Sequence, residues 1–205
     1  NVDSVPLKLT VSGTVNLATL EPKLRYDIAS KDLQTLLKPV LTFIPAVKAD
    51  SPLYRFTGKI EQLRGAVQGP VSKLQIQAEA HFTKADFVWI AADDLTAEIT
   101  YQENTLKINR CQAIRNSAAV EVKGTVDLSV PSSPRLDLPI ALHSGNLADY
   151  LAMVKQAYPL DGALKALQTT ITGPVDNLRG EIAIAVSNGT AWGQPGASWT
   201  GGGPD

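Results

Sequence analysis

The sequence is poor in the residues that carry most protein chemistry. Its 205 residues include one cysteine, one methionine and two histidines, and aromatic residues make up 6%. A single cysteine excludes an intramolecular disulfide. No apolar run approaches the roughly 20 residues of a membrane-spanning helix. The net charge is −1, which argues against a general nucleic-acid binder, because such proteins present a basic surface to phosphates.

Catalytic and nucleotide-binding motifs are also missing. The sequence contains no Walker loop, no GxGxxG and no GxSxG pattern. His81 and His143 adjoin alternating segments without a nearby Ser, Asp or Cys partner, and Cys111 has no neighbouring metal-type ligand, so we interpret all three as structural. Asp93 and Asp94 form an acidic pair without a third carboxylate at ligand spacing, which is typical of a solvated turn. We therefore predict a protein that is not an enzyme and has no catalytic residue, metal site or cofactor.

Alternation of apolar and polar residues dominates what is present. It starts at Leu7, Leu9 and Val11 with Lys8 and Thr10 between them, and it recurs along most of the chain. A period of two places one row of side chains on each face of a sheet. Parallel sheets would show near-continuous apolar runs instead. The pattern predicts a mostly β protein with an antiparallel sheet that has one apolar and one polar face.

Two segments have helical spacing, and turn residues separate the strands. The first helix is predicted over 31–44 and the second over 146–156, each as a short amphipathic helix behind a capping-type residue. Gly69-Pro70, Gly173-Pro174 and Asn188-Gly189 are predicted turns. Both helices would cover a sheet edge or fill the core, or they would cap or lid the sheet.

The chain repeats itself once. Residues 12–40 correspond to 123–154, and 51–80 correspond to 158–186, in the same order. Such a period predicts a tandem β array. We divide it into a first repeat over 1–110, a second and incomplete repeat of the same continuous sheet over 111–193, and a flexible Gly/Pro-rich tail over 194–205. The interrupted second copy suggests a piece of a longer protein.

The alternation does not decide whether the sheet is closed. In a closed sandwich the apolar rows would be buried between two sheets, whereas in an open, curled sheet they would line a trough. The pattern by itself favours the sandwich.

A resemblance to a known family favours the open, curled sheet over the closed sandwich. The segments "GPVSKLQIQAEA" (69–80), "GPVDNLRGEIAIAVSNGTAWG" (173–193) and "KGTVDLSVPSSPRLDLPIALHSGNLADYLAMV" (123–154) resemble the strand units of the AsmA-like/TamB superfamily, over about 5–193. The resemblance implies an elongated, curled antiparallel β-groove with an apolar interior. It further implies a periplasmic, non-enzymatic lipid conduit between the inner and outer membranes. Phospholipid would be its partner, an outer-membrane protein would be a further one, and segments outside this sequence would anchor it in the inner membrane.

The predicted lipid-contacting residues are the apolar rows of the repeats. They are Leu74, Ile76, Ala78, Phe82, Val120, Val122, Val126, Leu128, Leu136, Leu138, Ile140, Leu142, Ile182, Ile184 and Val186. The alternative function is a structural β-sandwich spacer or scaffold that binds protein partners through its sheet edges.

Overall fold

A computed structural model describes residues 7–34, 55–87, 90–130, 132–158, 160–180, 184–191, 194–195 and 199–201. The strands are β1 (Leu7–Asn16), β2 (Glu21–Ser30), β3 (Thr57–Gln68), β4 (Gln75–Asp86), β5 (Ala91–Gln102), β6 (Thr105–Arg115), β7 (Ala118–Asp127), β8 (Arg135–Leu142), β9 (Gly145–Asn146), β10 (Leu160–Leu164), β11 (Leu167–Pro174), β12 (Arg179–Gly180), β13 (Ile184–Ala191), β14 (Gln194–Pro195) and β15 (Trp199–Gly201). One α-helix, α1 (Leu147–Met153), is complete within these residues, and a 3₁₀ turn covers Val71–Lys73.

The fold is mostly β and antiparallel, as the alternation predicts. Ten strands follow the order β1-β2-β3-β4-β5-β6-β7-β8-β11-β12 in one sheet that is not closed. A second sheet has the order β14-β13-β10-β9, with β15 also paired to β13. The chain divides into two compact units, 1–103 and 104–205.

In the first unit, each of the strands β1 to β5 pairs antiparallel with its neighbours in sequence order. Leu9 pairs with Ile28, and farther along the sheet Ile76 pairs with Tyr101. Directly paired residues lie on the same face, so the apolar rows of all five strands share one face. The register shifts between Ile60 and Gln62, which keeps Ile60 and Leu63 on that face despite their odd spacing.

The second unit contains strands of the ten-stranded sheet, the helix α1 and the small second sheet. Residues on β7 and β8 pair apolar with apolar, as in Val122 with Ile140. Asn146 caps α1, with its side chain accepting a hydrogen bond from the Ala148 N–H, and α1 packs against β6, β7, β9 and β10. Tyr150 and Met153 point inward from α1 and are buried.

Each unit has its own buried cluster. In the first unit it contains Leu33, Ile60, Ala85, Ala91, Ala92 and Leu95. Phe87 adjoins this cluster, with ring centroids 4.8 Å from Phe56 and 6.3 Å from Phe82, both edge to face. In the second unit it contains Ala113, Ala118, Tyr150, Met153, Leu164 and Val186. Buried apolar side chains are therefore present in both units.

Several sequence predictions need correction or lie outside the described residues. The alternation missed β6 entirely, because a register shift between Ile108 and Cys111 interrupts its period. Asn188-Gly189 lies inside β13 rather than in a turn. Strand β13 belongs to the second sheet, and the predicted tail over 194–205 contains β14 and β15, which pair with it. Of the helix predicted over 31–44, residues 33 and 34 are helical and 35–44 lie outside the described residues.

Candidate functional site

The first apolar face is the main surface feature of the first unit. It consists of Leu9, Val11, Val15, Leu24, Tyr26, Ile28, Ile60, Leu63, Val67, Ile76, Ala78, Ala80, Phe82, Leu95, Ala97, Ile99 and Tyr101. Cross-strand pairs such as Leu24 with Val67 and Ala78 with Ile99 join these side chains into continuous rows. A sheet with one apolar face normally buries it against another layer.

Exposure along this face increases toward β1. Ile60 and Leu95, at the buried cluster, are 1% and 9% exposed, and the β2 residues Leu24, Tyr26 and Ile28 are half-buried. On β1, Leu9 and Val11 are both 55% exposed and Val15 is 47% exposed. These side chains expose a contiguous set of branched aliphatic groups, and such patches usually mark a binding surface.

Tyr26 shapes the middle of this face. A Cβ on Gly65 would come within 2.7 Å of the Tyr26 ring, so the ring lies over the glycine. The Tyr26 hydroxyl donates to the carbonyl oxygen of Gln77 at 3.3 Å, and burial raises the pKa of the phenol. The aromatic ring therefore covers backbone that a glycine would otherwise leave exposed.

The second apolar face lies in the second unit. It consists of Leu106, Ile108, Cys111, Ala113, Val120, Val122, Val126, Leu136, Leu138, Ile140, Leu142, Leu167 and Ile171, as their pairing shows. Most of these side chains are half-buried, and Ala113 is buried. Cys111 pairs with Val122 on this face, and burial raises the pKa of its thiol, so it is a small apolar side chain here.

The predicted lipid-contacting residues divide between the two faces and the second sheet. Ile76, Ala78 and Phe82 are on the first apolar face, and Leu74 directly precedes β4. The second apolar face holds Val120, Val122, Val126, Leu136, Leu138, Ile140 and Leu142. Leu128 follows β7, with its N–H donating to the Asn104 carbonyl oxygen at 2.7 Å.

Three predicted residues lie elsewhere. Val186 is buried in the second sheet, where it pairs with Leu164. Ile184 is on β13, but its side chain, like all of Ile182, lies outside the described residues. Leu63 and Val67 on β3 and all of β6 were not among the residues predicted from the sequence. The signal that identifies them is the register of the neighbouring strand, since the alternation of β3 and β6 changes phase.

Charged side chains occupy the opposite faces. His81 Nε2 lies 2.7 Å from Asp94 Oδ2, a pair that the sequence analysis did not predict. In the second unit, Glu121 lies 2.9 Å from Lys123 Nζ and 3.9 Å from His143 Nε2. The hydrogen bond from Lys123 holds the pKa of Glu121 below its usual value.

Neither a metal-binding cluster nor a membrane-spanning helix is found among the residues that the structure describes. Within the described ranges, no group of three or more His, Cys, Asp or Glu side chains is arranged to hold a metal ion. Across the same residues, no helix has both the length and the hydropathy to cross a bilayer.

Two clefts are found on the polar faces. One, of about 580 Å³, is in the first unit beside Lys23 and Gln68. The other, of about 390 Å³, is in the second unit beside Glu121 and His143. A ligand on an apolar face would therefore occupy an open surface rather than either of these clefts.

Comparison with known proteins identifies no relative: the chain matches no protein-family model, no curated protein and no solved structure.

Proposed function

We propose that the two apolar faces bind the acyl chains of lipid, and that the protein is a non-enzymatic segment of a lipid conduit. The observation that carries this proposal is the exposure of Leu9, Val11 and Val15 on a face that is continuous with Leu24, Ile28 and Ile76. Half-exposed aliphatic side chains in a connected sheet face match an aliphatic ligand.

The energetics favour such a ligand. An acyl chain in water costs about 0.8 kcal/mol for each exposed CH₂ group, and contact with the apolar rows removes part of that cost along their length. Lysines and glutamates lie on the opposite faces, so the apolar rows hold few groups that would fix a lipid in one place. Weak contacts spread over many residues suit a conduit, because a conduit must release the lipid that it holds.

The proposal includes an elongated, curled β-groove built from two tandem repeats with two short amphipathic helices. Matching local geometry supports the repeats. Gly69 and Gly173 both have positive φ, and the carbonyl oxygens that follow, at Pro70 and Pro174, accept the N–H three residues on at 2.7 and 2.8 Å. Gly13 and Gly124 also correspond, since each has positive φ and a carbonyl oxygen of the adjacent strand 2.0 Å from where a Cβ would be.

The AsmA-like/TamB resemblance supports the remaining parts of the proposal. They are a periplasmic location, attachment to the inner membrane through other parts of the protein, phospholipid as cargo, and an outer-membrane protein as a partner. The resemblance rests on strand and turn residues such as Gly69-Pro70 and Gly173-Pro174.

Native mass spectrometry of the detergent-free protein tests lipid binding directly. We expect stoichiometric phospholipid that organic extraction recovers. We also expect that removing the lipid speeds alkylation of Cys111, the sole thiol, since it lies on the second apolar face. A lipid-free monomer that ignores a fluorescent acyl probe would contradict the proposal and favour the spacer function.

Substitutions locate the bound lipid. Ile76→Asp tests the first apolar face, and Val122→Asp or Ile140→Asp tests the second, each by placing a charge among apolar side chains. Gln77→Asp is the matched control, because Gln77 adjoins Ile76 and lies exposed on the opposite face. We expect the first three variants to lose co-purified lipid while keeping a wild-type circular dichroism spectrum, and Gln77→Asp to keep its lipid. Folded variants at Ile76 and Ile140 with full lipid content would exclude these faces as the site.

A further inference from the structure

The polar face of the first unit has a cleft that the proposed lipid binding does not use. The cleft measures about 580 Å³, within the usual range of small-ligand sites. It lies at the end of the sheet where β1 joins β2 and β3 joins β4. Because neighbouring residues of a strand face opposite ways, the cleft faces away from Leu24, Val67 and Ile76.

A cross-strand row forms one wall, which we call the glutamine row: Thr14, Lys23, Gln68, Gln75 and Gln102, all lining the cleft. Thr14 pairs with Lys23, Lys23 with Gln68, and Gln68 with Gln75. Gln102 continues the row, since it follows Tyr101, the partner of Ile76. Five strands about 4.8 Å apart give the row a length of roughly 19 Å.

The charges around the cleft do not select an ion. Among its described lining residues, Lys23 and Lys73 are balanced by Glu21 and Glu103. A phosphate site would carry an excess of cations, and a cation site would carry an excess of carboxylates. The formal charges therefore favour an uncharged ligand.

The remaining lining groups restrict the ligand further. Apart from the rings of Pro22 and Pro70, the described side chains in the lining are polar, so an acyl chain finds few apolar partners there. Each glutamine amide offers two donor hydrogens and one acceptor oxygen. Gln68 Nε2 donates to Gln75 Oε1 at 3.0 Å, which orients both amides and leaves further donor and acceptor capacity on each.

From this set of groups we propose that the glutamine row binds an extended, uncharged glycan. Vicinal hydroxyls both donate and accept, as the amides do, and the Pro70 ring offers an apolar contact to the C–H face of a sugar ring. A row of roughly 19 Å is longer than a monosaccharide, so the ligand is an oligosaccharide that crosses the strands. This site is separate from the lipid-binding face and does not depend on it.

Titration of isotope-labelled protein with chitohexaose and with maltohexaose, followed by NMR, tests the site. We expect at least one of the two glycans to shift the side-chain amide resonances of Gln68, Gln75 and Gln102 saturably. The double variant Gln68→Ala/Gln75→Ala should bind that glycan about ten-fold more weakly, because hydrogen bonds from two side chains are lost. Gln156→Ala is the control, as Gln156 is exposed in the second unit, and it should bind as wild type.

Three results would overturn the proposal. The first is that neither glycan shifts the three amide resonances. The second is that the double variant binds the glycan as tightly as wild type. The third is that sodium phosphate produces larger saturable shifts than either glycan. The last result would identify Lys23 and Lys73 as an anion site instead. Lipid content does not enter the measurement, so failure of the glycan site and failure of lipid binding are distinguishable.

Discussion

The two units place similar alternating strands in different surroundings. In the first, the aliphatic side chains of β1 are about half exposed on a sheet of long strands. In the second, Tyr150 and Met153 on α1 and Leu164 on the small sheet are buried, and α1 packs against β10. The comparison teaches that alternation determines which face of a strand is apolar, whereas later elements of the chain determine how much of that face is covered.

Truncation of buried side chains should have the largest effect and should separate buried clusters from open faces. Ile60 is 1% exposed and Met153 is fully buried. We expect Ile60→Ala and Met153→Ala each to lower the free energy of unfolding by about 2–5 kcal/mol, since each leaves a cavity. Val11→Ala, on the exposed part of the first apolar face, should cost about 0.5 kcal/mol or less. Urea denaturation measures all three, and a loss at Val11 as large as that at Ile60 would show that the face is covered in solution.

Equivalent glycines should respond differently, because β7 is paired on both sides whereas β1 is paired only with β2 among the described strands. Gly124 has φ +119°, and a Cβ would lie 2.0 Å from the Asp137 carbonyl oxygen. Gly13 has φ +135° and a Cβ position 2.0 Å from the Lys23 carbonyl oxygen. We expect Gly124→Ala to cost about 1–3 kcal/mol, because β6 and β8 hold β7 on both sides. Gly13→Ala should cost less, since β1 pairs only with β2 among the described strands. Equal losses in urea denaturation would contradict the difference.

Removing the Tyr150 hydroxyl should lower the free energy of unfolding less than truncating the buried Met153 side chain of α1 does. The hydroxyl donates to the His143 carbonyl oxygen at 2.5 Å and accepts from the Ala119 N–H at 3.2 Å. Tyr150→Phe keeps the ring and removes these bonds, so we expect a loss of about 1–2 kcal/mol. Tyr158→Phe is the control, since Tyr158 is 61% exposed, and thermal unfolding should show no change there. A wild-type stability of Tyr150→Phe would mean that packing alone holds α1.

The strands and their faces could largely be predicted from the sequence, and the pairing of distant strands could not. Alternation on β7 and β8 correctly places Val122 and Ile140 on apolar rows, because a period of two fixes the face of every residue in a strand. It carries no information on which strands pair, so Val186 was assigned to the large sheet although it pairs with Leu164 in the small one. Register shifts, as at Ile60 and Ile108, change the phase of the alternation and hid parts of β3 and all of β6.

The polar contacts were the hardest part to predict. His81 and Asp94 meet across the β4–β5 hairpin, where Thr83 pairs with Asp94. Their sequence separation is compatible with a hairpin, but the turn sets the register of β4 against β5, and that register decides whether the two side chains meet. Side-chain pairs of this kind depend on a single residue of register, which composition and periodicity do not supply.

The smallest predicted effect concerns the carboxylate that ties α1 to the β6–β7 turn. Asp149 accepts hydrogen bonds from the Ser117 hydroxyl at 2.6 Å and from the Asn116 amide at 3.1 Å. The Ser117 hydroxyl bond holds the pKa of Asp149 below its usual value. A carboxyl whose folded pKa is lowered stabilises the fold above its unfolded pKa, about 3.9, and loses that contribution as the pH falls through the folded pKa.

Asp149→Asn should therefore cost about 1 kcal/mol or less at neutral pH. Its deficit should shrink as the pH falls below about 4, because the wild-type carboxylate becomes protonated there. Asp137→Asn, at an exposed position on β8, serves as the control for the loss of a charge. Urea denaturation at a series of pH values gives the difference between wild type and each variant. A deficit for Asp149→Asn that stays constant down to the lowest pH would mean that the side chain acts on α1 through its shape rather than through its charge.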